Sequence, residues 1–231
     1  MLFTHYRLRR GFCKRAPWVT GFTIHGRAYG GRYPATADPR LEQFWRSFPD
    51  ARTVLELGSL EGGHTLALAG RPQVRRVVGL EGRAANVGRA RYVQAKLGVR
   101  NVEFAHVNLE TGDLRRFGPF DAVACLGLLY HLPRPWELLD RAAAVSPDLF
   151  LWTHYVADDR ADAEAGGYRG AWVQEFGEAD PLSGLSPQSF WPTQSELHRM
   201  LRASGFRRIE VIEGQPDHPH GPGLTLAASA R

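Results

Sequence analysis

The sequence predicts an α/β domain, a parallel sheet with helices packed on both of its faces. Short apolar runs alternate with helix-like segments from Thr53 to Val156, and strands that alternate with helices at this spacing are joined by crossovers that lay them parallel. The chain has 231 residues, 43% hydrophobic and 23% charged, which suits one large core better than two.

The elements follow in order. GFTIHGRAYGGRYPATADPRLEQFW, from Gly21, is rich in glycine and aromatic residues and leads to Asp38-Pro39, a cap followed by proline at the first helical position. The helix so begun should end near Phe48. TVLEL from Thr53 reads as a strand, Gly62 to Ala69 as a helix, RRVVGLE as a strand, and Arg83 to Leu97 as a helix closed by Gly98. NVEFAHV is a third strand and FDAVACLGLL, from Phe120, a fourth. Trp136 to Ala144 is a helix and DLFLWTHYV a fifth strand. Asp158 to Phe190 is too polar and too rich in glycine and proline for regular structure, and its length suits a lid or binding loop. Thr193 and Glu196 form a capping box, and Gly205 stops the helix that they open. FRRIEVIE and LTLAASA are the last strands, joined by GQPDHPHGPG. The chain thus divides into residues 1–50, a basic N-terminal extension with a short helix, and residues 51–231, the main domain with a lid insertion at 157–190.

The net charge of +5 is local. Arg7, Arg9, Arg10, Lys14 and Arg15 precede every acidic residue, and the remainder carries 24 basic and 24 acidic side chains. Such an arm is either a solvated run or a phosphate contact, while a neutral body lacks the broad footprint of an RNA binder. The basic N-terminal stretch contains no signal-peptide core or membrane span, so no membrane partner is expected. Cys13 and Cys125, far apart and differently surrounded, fit a reducing cytoplasm, with Cys125 core in character.

Chemistry concentrates at the strand ends. ELGSLEGGHT puts Glu56 at the end of the first strand and Gly58, Ser59, Gly62 and Gly63 in the turn before a helix. There backbone can approach a ligand closely, and the helix N-terminus favours negative charge. Leu60 breaks the G-x-G-x-x-G pattern of dinucleotide sites. Glu81 ends the second strand, where a carboxylate can accept hydrogen bonds from both ribose hydroxyls. Together these two strand ends point to nucleoside binding.

VLELGSLEGG, VVGLE, VNLE and FDAVACLGLLYHL give the chain, from about Arg52 onward, a resemblance to class I S-adenosylmethionine-dependent methyltransferases. Within that superfamily the Leu-Tyr-His ending of the fourth strand and SFWPTQSELHRMLRASGF are most similar to the tRNA wobble-uridine carboxymethyltransferase-like branch. The resemblance implies a Rossmann-like seven-stranded sheet, mostly parallel with the last strand antiparallel, and S-adenosyl-L-methionine across its C-terminal strand edges. It implies that Glu56 and Gly58, with Ser59 and Gly62 in the turn, face the methionine portion, Glu81 the ribose, and Asn108 and Leu109 the adenine; Cys125 joins this cofactor-facing set. Asn108 stands where aspartate is commoner, and Leu60 where glycine is.

Tyr130 and His131 then fall where the fourth strand meets the transferring group. In the branch resembled, the tyrosine helps to hold carboxy-S-adenosylmethionine. Methyl transfer is an in-line displacement dominated by alignment, and a neutral His131 can also take a proton from a hydroxyl, or else cap the next helix. His154, on the adjacent strand edge, is a second candidate base facing the acceptor, or a buried hydrogen-bonded histidine. Arg169 in the lid is a candidate partner for an acidic group, and Trp172, Phe190 and Trp191 either stack on a flat substrate or close a pocket. Asp217, His218 and His220 lack a distant fourth ligand, so no metal is expected.

Three functions follow. The first is methyl transfer to oxygen or nitrogen of a small-molecule acceptor. The second is a tRNA wobble-uridine-modifying, carboxymethyl-transferring enzyme whose basic arm and lid contact the anticodon arm. The third is a non-catalytic adenosyl-ligand-binding protein. Acceptor and oligomeric state are not written in the sequence.

Overall fold

A computed structural model describes residues 2–177 and 180–231; Met1 of the expected extension and residues 178 and 179 of the expected lid lie outside them. The main sheet contains seven strands: β3 (Thr53–Leu57), β4 (Arg76–Glu81), β5 (Val102–His106), β6 (Ala122–Leu126), β7 (Asp148–His154), β11 (Arg208–Gln215) and β12 (Gly223–Ser229). Their order is β11-β12-β7-β6-β3-β4-β5, with β12 antiparallel to both neighbours and the inner pairs parallel. The chain leaves β3 for β4 on one side and later places β6 on the other. A crevice therefore opens at the C-terminal ends of β3 and β6, the switch point at which such sheets bind ligands.

Helices α2 (Pro39–Ser47), α3 (Gly63–Leu68), α4 (Ala84–Leu97), α5 (Pro135–Ala143) and α6 (Gln194–Ala203) accompany the sheet. Asp38 caps α2 by accepting from the Arg40 backbone N–H, and Thr193 caps α6 through Glu196, as the capping signals predict. Two buried clusters cover the sheet, one around Leu55, Val78, Val123 and Leu151 and the other around Val54, Val77, Ala124 and Phe150. Adjacent strand residues alternate between them, as the pleat requires.

Three expectations are corrected. The fourth strand stops at Leu126 and not at Leu129: Gly127 adopts φ +104°, and Leu129–His131 form a 3-10 turn. Positive φ leaves the ladder, so Tyr130 and His131 project from a turn above the sheet edge. The lid is not irregular. Strands β8 (Ala163–Ala165), β9 (Tyr168–Gln174) and β10 (Gln188–Pro192) form an antiparallel sheet of their own, held by backbone pairing. The N-terminal region is likewise a folded cap. Helix α1 (Leu2–Cys13) buries Leu8 and Phe12 while Arg9, Arg10, Lys14 and Arg15 face solvent. A hairpin, β1 (Gly21–Ile24) and β2 (Arg27–Gly30), turns through His25 and Gly26, both at positive φ. Among the described residues no helix is long and apolar enough to cross a membrane.

Candidate active site

A cleft of about 640 Å³ lies over the C-terminal ends of β3, β4, β6 and β7. The lid segment Pro181–Leu185 covers one side and the N-terminal cap, from Val19 to Arg40, the other. The cap is fastened by Glu61, whose buried carboxylate accepts from the backbone N–H groups of Val19 at 3.1 Å and Thr20 at 2.7 Å.

At the β4 edge, Glu81 is 5% exposed yet lines the cleft. It accepts from the backbone of Leu60 and of Arg83, both at 2.9 Å, and from Asn86 Nδ2 at 3.3 Å. Burial raises its pKa above the usual carboxylate range despite those donors. Leu60 sits at φ +48°, the left-handed region that favours glycine, and its amide is thereby turned onto Glu81. Gly58, at φ +79°, packs against Leu128 and exposes backbone to the cleft. Ser59 Oγ is buried there without a hydrogen-bond partner among the described residues. Asn108 and Leu109 also line the cleft, the Asn108 Oδ1 accepting from the Glu110 backbone N–H at 2.9 Å.

These residues fit an adenosyl cofactor: a cleft-lining carboxylate with three of its roughly four acceptor positions taken and one left for a ribose hydroxyl, an orphaned hydroxyl, and a bare backbone turn. Gly58, Ser59, Glu81, Asn108 and Leu109 are brought together as expected. Glu56, Gly62 and Cys125 are not, since none of them lines the cleft. Glu56 is turned inward, accepting from Thr65 Oγ1 and facing His64 Nδ1 at 3.3 Å. Gly62 serves packing, because a Cβ would come within 2.6 Å of the Phe104 ring. Cys125 is core, and burial pushes its thiol up to about 12.

At the β6 edge, Tyr130 and His131 both line the cleft. Burial raises the Tyr130 phenol to about 12, so it stays protonated. His131 Nδ1 lies 2.9 Å from Glu175 Oε1, whose side chain is 6% exposed. Burial alone would raise Glu175. The bonds from His131, Ser183 and the Gly184 backbone outweigh it and hold the carboxyl at about 2. Of its two expected roles, His154 takes the buried, hydrogen-bonded one. It is 2% exposed, lies outside the cleft lining, and donates from Nδ1 to the carbonyls of Gly221 at 2.9 Å and Pro222 at 3.2 Å. Its ring stacks on Trp191 at 5.0 Å and meets Tyr130 edge-on at 4.6 Å, and burial lowers its pKa. It supports the wall behind Tyr130 and does not line the cleft.

The far end of the cleft is lined by Arg40, Trp152, Glu213 and Gln215. The Arg40 guanidinium lies 4.6 Å over the Trp152 ring, and Gln43 Nε2 donates to Glu213 at 2.9 Å. Arg40 also binds Asp38 and, at 2.7 Å, Tyr33. Asp38 in turn reaches His64 Nε2 at 3.1 Å. Burial opposes ionisation of Asp38, but the bonds from His64 and Arg40 win and keep it well below the usual range. Sequence reading missed Tyr33, Arg40, His64, Glu175 and Ser183 and saw Asp38 only as a cap. His64 alone carried a signal, standing directly after the glycine turn. Arg169 binds the lid carbonyls of Asp158 and Ala161. Trp172 is 41% exposed, Phe190 is core, and Trp191 Nε1 donates to the Tyr130 carbonyl at 2.8 Å. Among the described residues no group of three His, Cys, Asp or Glu is placed to hold a metal.

A sheet of this order with such a carboxylate-edged crevice defines the class I S-adenosyl-L-methionine-dependent methyltransferases. Residues 29–211 match the family described as Methyltransferase domain, and the chain belongs to that family. It is similar to the N-terminal domain of EvdMO1, crystallised in the presence of SAH and D-fucose, with 37% identity, a TM-score of 0.88 and coverage of 98% of this chain and 97% of that one. Against the longer EvdMO1 chain identity is 33% and the TM-score 0.79, with 98% of this chain but only 48% of that one covered. Magnesium protoporphyrin IX methyltransferase from Synechocystis PCC 6803, with bound SAM, shares the fold at 15% identity, a TM-score of 0.56 and coverage of 85% and 78%. No curated protein matches by sequence. The protein is an enzyme, and S-adenosyl-L-methionine is its cofactor.

Proposed function

We propose that the enzyme methylates a hydroxyl oxygen of a small, neutral, polyhydroxylated acceptor such as a sugar ring, with His131 as general base. The 2.9 Å pairing of His131 Nδ1 with Glu175 at the cleft wall carries this reading. When bound, the cofactor supplies an electrophilic methyl group on a sulfonium sulfur. A neutral hydroxyl is a poor nucleophile, so its proton must leave as the new O–C bond forms. A carboxylate at Nδ1 commits that nitrogen to carrying a proton, which leaves Nε2 free to accept one. The ionised Glu175 then stabilises the imidazolium. Tyr130, protonated and cleft-facing, helps to orient the reacting group, and the lid excludes water.

The acceptor class rests on two supports. The far end combines Arg40, Glu213 and Gln215 with the Trp152 ring, polar groups beside an aromatic surface and without a net charge of one sign. The similar EvdMO1 domain was crystallised with D-fucose. The wobble-uridine reading, and carboxy-S-adenosylmethionine with it, gains no support from these relatives.

The test is methyl incorporation into a panel of neutral sugars and into bulk tRNA by the wild type and His131→Gln, alongside titration with S-adenosylhomocysteine. Turnover on a sugar should fall about 10²–10⁴-fold in the variant with binding of S-adenosylhomocysteine retained. A His131→Gln enzyme as fast as the wild type would remove the base, and methylated tRNA with inert sugars would overturn the acceptor class.

A further inference from the structure

We propose that Ser183, latched by Arg83, is a positioning residue that sets the base His131 through Glu175, so that the lid completes the catalytic pair. The proposal rests on His131 acting as the base.

Ser183 is 7% exposed and engaged on three sides. Its hydroxyl donates to Glu175 Oε2 and accepts from the Phe176 backbone N–H at 2.6 Å, while its carbonyl accepts from Arg83 Nη2 at 2.7 Å. The next backbone N–H, of Gly184, donates to the same Glu175 oxygen at 2.6 Å. With Oε2 held by two donors, the carboxylate cannot rotate, and Oε1 is fixed on His131 Nδ1. Gly184 also lies flat against the His131 backbone, where a Cβ would come within 2.4 Å of the His131 carbonyl. The lid thus grips the base from the side chain and from the main chain.

Arg83 is the other end of the latch. Its Nη2 also reaches the carbonyls of Gly177 at 2.9 Å and Asp180 at 3.0 Å, so three lid carbonyls converge on one nitrogen. Its own backbone N–H donates to Glu81. From Glu81 the connection runs through Arg83, Ser183 and Glu175 to His131, with no hydrogen bond longer than 3.0 Å. Arg83 thus touches both ends, its backbone N–H on Glu81 and its guanidinium on the lid that holds the base.

The experiment compares Ser183→Ala, Ser183→Thr and Arg83→Met with the wild type and His131→Gln. The readouts are kcat and acceptor KM, and the downfield proton NMR signal of the His131 Nδ1–H in the complex with S-adenosylhomocysteine. Ser183→Ala should lose at least about 10-fold in kcat with acceptor KM little changed, and should lose the downfield signal; Arg83→Met should do the same. Ser183→Thr, which keeps the hydroxyl, should recover both, which a general loss of folding would not allow. Wild-type kcat in Ser183→Ala, or a lost kcat with the signal intact, would overturn the latch. If His131→Gln is inactive while Ser183→Ala is normal, only the latch fails. If His131→Gln is fully active, the base reading itself has failed.

Discussion

The Nε2 of His64 lies 3.1 Å from the carboxylate of Asp38, a contact that ties α3 to the N-terminal cap. Burial works against charge on this imidazole, but Asp38 and Glu56 outweigh it and raise the pKa of His64 above the ordinary histidine value. A raised folded-state pKa stabilises below the unfolded value, and that stability is lost as pH rises through the folded one. Thermal stability should therefore decline as pH rises above the ordinary histidine value, and His64→Gln should flatten that decline. A melting-temperature profile across pH checks it; identical profiles would sink the assignment.

Glu175 acts with the opposite sign. Its carboxyl is held at about 2, so its stabilisation is present above the unfolded value and is lost as pH falls toward the folded one. On the order of 3 kcal/mol is at stake. Glu175→Gln should abolish much of the acid dependence in denaturant titrations, and an unchanged acid limb would place that dependence elsewhere.

Removing Glu81 takes away a carboxylate that no other cleft residue replaces. Glu81→Ala should weaken S-adenosylhomocysteine binding by about 10- to 100-fold, the worth of hydrogen bonds to a charged group. Calorimetric titration measures this directly, and near-normal affinity would remove Glu81 from the ribose.

His154→Leu should lower stability by about 1–3 kcal/mol, because two buried carbonyl bonds and the stack on Trp191 are lost. The pH dependence of kcat should keep its shape. A vanished acid limb in that variant would return His154 to the chemistry.

Gly62→Ala meets both left-handed strain at φ +83° and the Phe104 ring. A loss of about 2–4 kcal/mol is expected in chemical denaturation. A loss below about 1 kcal/mol would mean that the turn relaxes around the methyl.

The sheet was legible because its signals are local. AVACL is a continuous apolar run bounded by Asp121 and Gly127, VVGL and VLEL are apolar but for one residue each, and Asp38-Pro39 and Thr193 to Glu196 announce helices within four residues. Glu81 was legible as a cleft residue for the same reason, as the last residue of a strand. The base pair was not: Glu175 lies 44 residues beyond His131 and enters the site only because the lid folds as a hairpin-like sheet. YRGAWVQ carries its strand character on one half-buried face beside two glycines, a pattern that composition alone reads as loop. His154 misled for a related reason. A strand-end histidine resembles a catalytic one until Gly221 and Pro222, nearly 70 positions away, claim its proton.

The bond between Gln43 and Glu213 spans 170 positions. At about 5–20 residues per second on the ribosome, roughly 10–30 s separate the emergence of its two partners. For that interval the nascent chain carries Arg40 with no Trp152 and then no Glu213 to receive it, and the acceptor end of the cleft stands open. The edge formed by β3 and β4, with Gly58, Ser59 and Glu81, is translated within a few dozen residues and far sooner. The two ends of the cleft are thus translated far apart in time, and Glu213 and Gln215 are among the last parts of it to leave the ribosome.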